Sequence, residues 1–181
     1  MRLWDPHTGK AVGKALRGHS NEVVGICFSP DGQLLATSGA DGGVRLWDPR
    51  TQRQLPVPFD GHRGTVWAVS FAPDGQALAT AGADATVRLW DPARGVQLGA
   101  PLSGHASAVY ELAFSPDGRL LASAGEDGVA LLWDPATGKR VGSALTGHDG
   151  AVGGLAFSPD GSLLATAGWD GTLRRWIIGP L

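Results

Sequence analysis

The feature that most constrains this chain is a repeat of fixed length. A Gly-His pair, two apolar runs separated by a Pro-Asp-Gly turn, an aspartate and a tryptophan recur in the same order four times along the 181 residues. The histidines that open the copies are 43 residues apart, and no insertion or deletion interrupts the period: His19, His62, His105 and His148. Such a period predicts a repeat protein in which each copy forms one supersecondary unit packed against its neighbours.

Within each copy the apolar runs indicate short β-strands joined by tight turns. Helical periodicity is nowhere convincing, so the chain is predicted to be all-β. The first copy predicts an inner strand over Val23–Phe28, with Val23, Ile26 and Phe28 in the core. Since Val23 and Ile26 are an odd number of residues apart, both can point inward only if the strand carries a bulge near Val24-Gly25.

The repeat also predicts where the units begin and end. We expect residues 1–181 to form a single repeat domain, with units over residues 18–60, 61–103, 104–146 and 147–178. The last copy has three predicted strands and no fourth, whereas residues 10–16 form an outer strand ahead of the first copy. Residues 10–16 are therefore predicted to complete a last unit.

Composition and charge narrow the functional classes. Hydrophobic residues make up 43% of the chain and charged residues 18%, which is typical of a globular protein. The net charge of −2 argues against nucleic acid as a partner, and neither a polybasic run nor an apolar stretch of bilayer length suggests a membrane. The single cysteine, Cys27, cannot form an internal disulfide, and the first residues do not form a signal peptide, so we expect a cytoplasmic location.

Each copy carries a histidine, a hydroxyl residue, an aspartate and a tryptophan at constant spacing. The four sets are His19, Thr37, Asp41 and Trp47; His62, Thr80, Asp84 and Trp90; His105, Ser123, Asp127 and Trp133; and His148, Thr166, Asp170 and Trp176. A histidine, a hydroxyl and an aspartate are also the elements of a nucleophilic triad. An enzyme needs one such site, however, whereas four identical sets indicate a recurring structural need. The histidines are too dispersed for a metal cluster, so no catalytic residue, metal or cofactor is predicted.

With Gly-His and Trp-Asp pairs at this period, the chain resembles the WD40-repeat family over essentially its whole length. The resemblance implies a β-propeller of four-stranded blades, in which each set forms a hydrogen-bond relay from Trp to Ser/Thr, from Ser/Thr to His and from His to Asp. The chemistry allows this, because an indole N–H only donates whereas a hydroxyl both accepts and donates. Two features depart from the family: Trp176 is followed by Ile177 instead of aspartate, and Trp4 has no relay residues before it.

The number of copies bears on assembly. Proteins of the resembled family usually have seven or eight blades, and small residues on the inner strands suit a shallow wedge: Gly25, Ala68, Ala113 and Gly154. Four blades per chain then predict a homodimer that closes an eight-bladed ring, because a ring leaves no open edge. Ala11–Leu16 of each chain would complete the Val152–Ile178 blade of the other, and Trp176 rather than Trp4 would fill the fourth relay.

Residues that break the repeat are candidates for ligand contact. Trp67 and Tyr110 occupy one column of the repeat, Trp169 and Glu126 a second, and Glu22 a third. In the resembled family these columns line the top of the ring and commonly contact peptides, and aromatic side chains are good anchors. We therefore predict peptide binding by these five residues. The alternative is that Trp67 and Tyr110 fill gaps between blades.

Three functional hypotheses follow from this pattern. The leading hypothesis is a non-catalytic propeller scaffold for protein or peptide interaction through the top face of the ring. The alternative is a purely structural or engineered propeller fragment that assembles with itself and has no dedicated ligand. A hydrolase that uses one His-Asp-Ser/Thr set is the third hypothesis, and the fourfold repetition of the set disfavours it.

Overall fold

The computed structural model describes residues 1–179, and all regular structure in this range is β-strand. Its 18 strands form five antiparallel sheets, four of which correspond to the four copies of the repeat. None of the described residues belongs to a helix long and apolar enough to cross a membrane. The prediction of an all-β chain of four repeated units is confirmed.

The strands follow the repeat closely. An N-terminal hairpin consists of β1 (Leu3–Trp4) and β2 (Ala11–Val12). The first blade contains β3 (Val23–Phe28), β4 (Leu35–Gly39), β5 (Val44–Asp48) and β6 (Arg53–Gln54). The second contains β7 (Val66–Phe71), β8 (Leu78–Gly82), β9 (Thr86–Asp91), β10 (Val96–Gln97) and β11 (Leu102–Ser103). The third contains β12 (Val109–Phe114), β13 (Leu121–Gly125), β14 (Ala130–Asp134) and β15 (Lys139–Leu145). The fourth contains β16 (Val152–Phe157), β17 (Leu163–Gly168) and β18 (Leu173–Ile177).

Every inner strand carries a bulge directly after its first residue. The pairing register with the second strand shifts there, so that one residue in each copy has no partner: Val24, Trp67, Tyr110 and Gly153. The bulge predicted near Val24-Gly25 is therefore confirmed, and it recurs in all four blades. Because a bulge re-aims the side chain of its extra residue, these four positions are freed from the alternation that governs the rest of the strand.

The hydrophobic core lies between neighbouring blades. Three clusters join the blades in chain order, and representative buried pairs are Leu46 with Phe71, Leu89 with Leu112, and Leu132 with Leu164. Burial of apolar surface at these contacts is the dominant favourable term in such a stack. A blade is therefore buried only on the faces that a neighbour covers.

The core predicted for the first inner strand is wrong for this reason. Val23, Ile26 and Phe28 are 40%, 56% and 52% exposed. The equivalent residues of the second blade, Val69 and Phe71, are buried against the first blade. The first blade has no complete neighbour on its other side, so one sequence pattern gives a covered face in one copy and an open face in another.

The outer strand predicted over residues 10–16 is paired differently in the single chain. Ala11–Val12 pairs with Leu3–Trp4, so that β1 and β2 form the outer half of a blade. Leu16 is buried and belongs to the same cluster as Trp47 of the first blade. Within one chain this segment therefore pairs with β1 and not with the fourth blade, and its completion of the fourth blade of a second copy stays a prediction.

Candidate functional site

The predicted relay residues of the second blade form an unbroken chain of hydrogen bonds. Nε1 of Trp90 donates to Oγ1 of Thr80 at 2.8 Å, and Nε2 of His62 lies 2.7 Å from the same hydroxyl. Nδ1 of His62 is 3.0 Å from Oδ1 of Asp84. Since the indole can only donate, Thr80 accepts from it and passes its own hydrogen to His62. The remaining Nδ1–H of His62 then donates to Asp84.

The other three blades repeat this geometry. From the tryptophan to the hydroxyl the distances are 2.9, 2.8 and 3.1 Å in the first, third and fourth blades. From the hydroxyl to the histidine they are 2.9, 2.8 and 2.8 Å, and from the histidine to the aspartate 2.9, 2.9 and 3.1 Å. In the fourth blade the indole is that of Trp176, whereas Trp4 is 60% exposed.

Each relay aspartate also holds the loop that leads into the inner strand. It accepts a hydrogen bond from the backbone N–H of the residue after the histidine: Ser20 at 2.9 Å, Arg63 at 3.1 Å, Ala106 at 2.9 Å and Asp149 at 3.0 Å. The loop and the turn between the second and third strands are thereby joined at one end of every blade. We term this end, where the inner strands begin, the top face.

Three aromatic side chains meet on the top face. The ring of Tyr110 lies edge-on to that of Trp67, with centroids 5.5 Å apart and planes at 86°. Tyr110 is stacked on Trp169, with centroids 5.7 Å apart and planes at 14°. We term Trp67, Tyr110 and Trp169 the aromatic row, which runs from the second blade across the third to the fourth.

Trp169 joins the row from a different position in its blade. It lies in the turn between β17 and β18, where its backbone N–H donates to the carbonyl of Ala151 at 2.8 Å. The bulge of this blade holds Gly153, and a Cβ built there would lie 2.7 Å from Nε1 of Trp169. The missing side chain at Gly153 therefore makes the space that the indole occupies.

The aromatic row is open to solvent. Trp67 and Trp169 are 37% and 73% exposed, and Tyr110 is half-buried. Trp67 and Tyr110 thus contact each other at the surface and are not enclosed between blades. Glu126 is exposed in the third blade, one residue before the relay aspartate, and Glu22 is exposed on the first blade, which contributes no ring to the row.

A protein-family model matches the same four copies of the repeat. The family model described as WD domain, G-beta repeat, matches residues 9–48, 53–91, 96–134 and 138–176. The chain belongs to the WD40 repeat family. No curated protein matches it significantly. Each matched WD40 segment begins at an outer strand and ends at or beside the relay tryptophan, so it takes its outer strand from one blade and its three other strands from the next.

WD40 repeats generally form non-catalytic scaffolds for protein interaction. In this WD40 chain the relay hydroxyls are at most 1% exposed, which places them out of reach of a substrate: Thr37, Thr80, Ser123 and Thr166. Within residues 1–179 no group of three or more His, Cys, Asp and Glu side chains is arranged to hold a metal ion. The relay geometry is consistent with a structural role.

Hydrogen bonds lower the pKa of the relay aspartates Asp41 and Asp170. Burial raises the pKa of Asp41, but hydrogen bonds from His19 and from the backbone N–H of Ser20 outweigh it, so the net pKa lies well below its usual range. At Asp170 the backbone N–H of Asp149 makes the largest contribution to a lowered pKa. Each carboxylate accepts several hydrogen bonds that a protonated carboxyl could not accept equally well.

Burial keeps two relay histidines neutral. It lowers the pKa of His62 and of His105, because removal from water penalises the imidazolium more than the neighbouring aspartate stabilises it. A neutral histidine with its hydrogen on Nδ1 also fits the relay distances, since Nε2 then accepts from the hydroxyl and Nδ1 donates to the aspartate.

We expect the stability of the protein to fall in two steps as the pH is lowered. The pKa of His62 and His105 in the folded state lies below the unfolded value of about 6.5, so protons bind preferentially to the unfolded chain once the pH falls below about 6.5. The depressed pKa of Asp41 adds a second loss below about pH 4 for the same reason. Urea unfolding across this range measures both steps. A constant free energy of unfolding between about pH 7 and pH 5 would contradict the histidine step.

Proposed function

We propose that this WD40 chain is a non-catalytic scaffold that binds a segment of another protein, or a peptide, on its top face. The observation that supports the proposal is the aromatic row, which joins three blades in one exposed surface. Aromatic side chains bury a large area for little loss of rotamer entropy, and this makes them effective anchors. Their attachment to bulges and to a turn held by the relay gives them fixed positions.

The shape of the aromatic row favours a polypeptide ligand. Neighbouring rings contact one another, so a ligand would lie along the row and not between its members. A small molecule generally needs a concave site that covers most of its surface. An extended protein segment can instead place successive side chains on successive blades.

We expect a variant with Trp67, Tyr110 and Trp169 all changed to alanine to lose binding to most peptides that the wild-type protein retains on a peptide array. Removal of the anchors takes away the largest contributions to the contact. Trp4→Ala is the matched control, because Trp4 is 60% exposed and lies outside the aromatic row. Unfolding curves check that both variants remain folded. Equal binding by the triple variant and the wild type would contradict the proposal of a binding site on the top face.

A second candidate function, self-assembly, is supported by two uncovered blade faces. Ile26 and Phe28 are exposed on the first blade, and Leu173 and Ile177 are 80% and 82% exposed on the fourth. We propose that a second copy covers these faces and that two chains close an eight-bladed ring. Among residues 1–179 the outer edge of β18 has no partner strand, and β2 of the second copy would have to leave β1 in order to pair with it.

Arg175 weakens the face that such a dimer would use. It occupies the position of Leu46, Leu89 and Leu132, which are buried against the next blade. Burial of a guanidinium group without a partner is unfavourable. The contact between two copies is therefore expected to be weaker than the contacts between blades of one chain.

We expect light scattering of the wild-type protein to give about twice the chain mass of 18.7 kDa at high concentration. Arg175→Leu restores the leucine of the other blades and should shift the dissociation constant of the dimer to lower concentration. Arg119→Leu, in an exposed turn of the third blade, is the control for added hydrophobicity. Monomer mass for both the wild type and Arg175→Leu would exclude the ring.

The proposal also includes the cellular setting. We propose a cytoplasmic protein with protein partners only, and not nucleic acid or membranes. The net charge of −2 and the single thiol of Cys27 support it. Burial between the first two blades raises the pKa of that thiol to about 12, which makes it unreactive.

A further inference from the structure

We infer that the aromatic row binds a cationic side chain, the guanidinium of arginine or the ammonium of lysine, with Glu126 as its counter-charge. The inference rests on the proposed function, and it names the chemistry of the residue that the third and fourth blades would select. Its basis is an exposed, unpaired carboxylate on the same blade as Tyr110, the central ring of the aromatic row.

Glu126 and Trp169 occupy the same turn position in neighbouring blades. The backbone N–H of Glu126 donates to the carbonyl of Ala108 at 2.9 Å, and that of Trp169 donates to the carbonyl of Ala151 at 2.8 Å. Tyr110 follows Ala108 by two residues and is stacked on Trp169. The carboxylate is therefore carried on the blade whose ring forms the centre of the row. Burial raises the pKa of the Tyr110 phenol, and the negative charge of Glu126 raises it further. Such an effect is expected when the carboxylate lies near the phenol.

The carboxylate of Glu126 is free to bind a ligand. It is exposed, and within the part of the chain that the structure describes it takes part in no hydrogen bond and no ion pair. The relay aspartate beside it, Asp127, is instead engaged by His105 and by a backbone N–H. Of these two neighbouring acidic groups, Glu126 is thus the one whose charge is not already compensated.

The charges on the entry loops give the top face a polarity. The residue after the relay histidine is an exposed aspartate, Asp149, in the fourth blade and an exposed arginine, Arg63, in the second. The entry loop with the exposed aspartate therefore lies on the blade of Trp169, the most exposed ring of the row. An anionic side chain would be repelled there, whereas a cation would be attracted by the carboxylates and by the ring face together.

Aromatic rings and a carboxylate favour the same ligand for separate reasons. The face of an indole attracts cations through its quadrupole, more strongly than the ring of tyrosine or phenylalanine does. An aliphatic side chain would gain from the rings but not from Glu126. A guanidinium group gains from both, because its plane can lie on a ring while its N–H groups reach a carboxylate.

The test is a selection of peptides from a random nonapeptide phage library on the immobilised 181-residue chain. Three proteins are compared: the wild type, Glu126→Gln, and the control Asp74→Asn. Asp74 is exposed in the turn at the opposite end of β7 from Trp67, so the control removes the same charge away from the row. We expect arginine and lysine to be enriched among peptides selected by the wild type and by Asp74→Asn, and the enrichment to disappear with Glu126→Gln.

The tightest wild-type peptide is then synthesised with each arginine replaced by citrulline, or each lysine by acetyl-lysine. This replacement removes the charge with little change of shape. We expect the neutral peptide to bind the wild type about tenfold more weakly than the charged peptide does. We expect the two peptides to bind Glu126→Gln with similar affinity. Selected peptides without basic residues, or a basic preference that survives Glu126→Gln, would overturn the cationic assignment and leave the proposed function standing. Peptides selected equally by the wild type and by the triple alanine variant of the row would overturn the proposed function itself.

Discussion

Replacement of Trp90 by alanine is expected to lower the free energy of unfolding by about 3–5 kcal/mol. Trp90 is 1% exposed, its indole N–H donates to Thr80, and its ring packs edge-on against Phe59 with centroids 5.6 Å apart. The substitution would leave a cavity between the first two blades and would remove the hydrogen bond at which the second relay begins. Trp90→Phe, which keeps most of the ring, should lie between alanine and the wild type.

The chain offers a matched control for this loss. Trp4 stands in the same Leu-Trp-Asp sequence as Trp90 but is 60% exposed and donates no side-chain hydrogen bond in the described residues. Trp4→Ala should therefore change the free energy of unfolding by less than about 0.5 kcal/mol. Urea unfolding followed by circular dichroism measures both variants. Similar losses at the two positions would show that the motif, and not its burial and hydrogen bond, determines the effect.

The second large effect is expected within the relay. His62→Ala and Asp84→Ala should each lower the free energy of unfolding by about 1–3 kcal/mol, because each leaves a partner without its hydrogen bond. The double variant should lose much less than the sum, since the second substitution removes a group that the first has already left unpaired. Urea unfolding of the four proteins in this cycle gives the interaction energy.

A pair taken from different blades is the control for this cycle. His62→Ala combined with Asp127→Ala joins two residues that belong to separate relays, and their losses should add. Full additivity for His62 and Asp84 as well would mean that the 3.0 Å contact between them contributes nothing to stability. The prediction for that blade would then be wrong.

The local pattern of the fold was predictable from the sequence because it depends on residues close together in one copy. The odd spacing of Val23 and Ile26 requires a bulge, and the structure has one there. The relay is similarly local, since His62, Thr80, Asp84 and Trp90 lie within one blade and its entry loop. Constant spacing in four copies therefore singled out these residues, and the resemblance to the WD40 family implied the hydrogen bonds between them.

Contacts between blades could not be predicted in the same way. Ile26 and Phe28 have the pattern of core residues, and their exposure depends on whether another blade covers them. The resemblance to the family placed Trp67, Tyr110 and Trp169 on one face, but their separate columns did not predict that their rings contact one another. The sequence signal that could have predicted the contact of Trp169 is Gly153. It occupies the bulge position without a side chain and so leaves space for the indole of Trp169.

The bulge has a consequence for how a chain of this kind can change. The residue before it is valine in every copy and is fully buried in the last three, at Val66, Val109 and Val152. The bulge residue itself has no partner on the neighbouring strand, and it is different in every copy. Substitution there leaves the pairing of the strands intact, so the side chain at the bulge can change by single mutations while the neighbouring valine preserves the scaffold. Under the function that we propose, the bulge thus separates the evolution of recognition from that of folding.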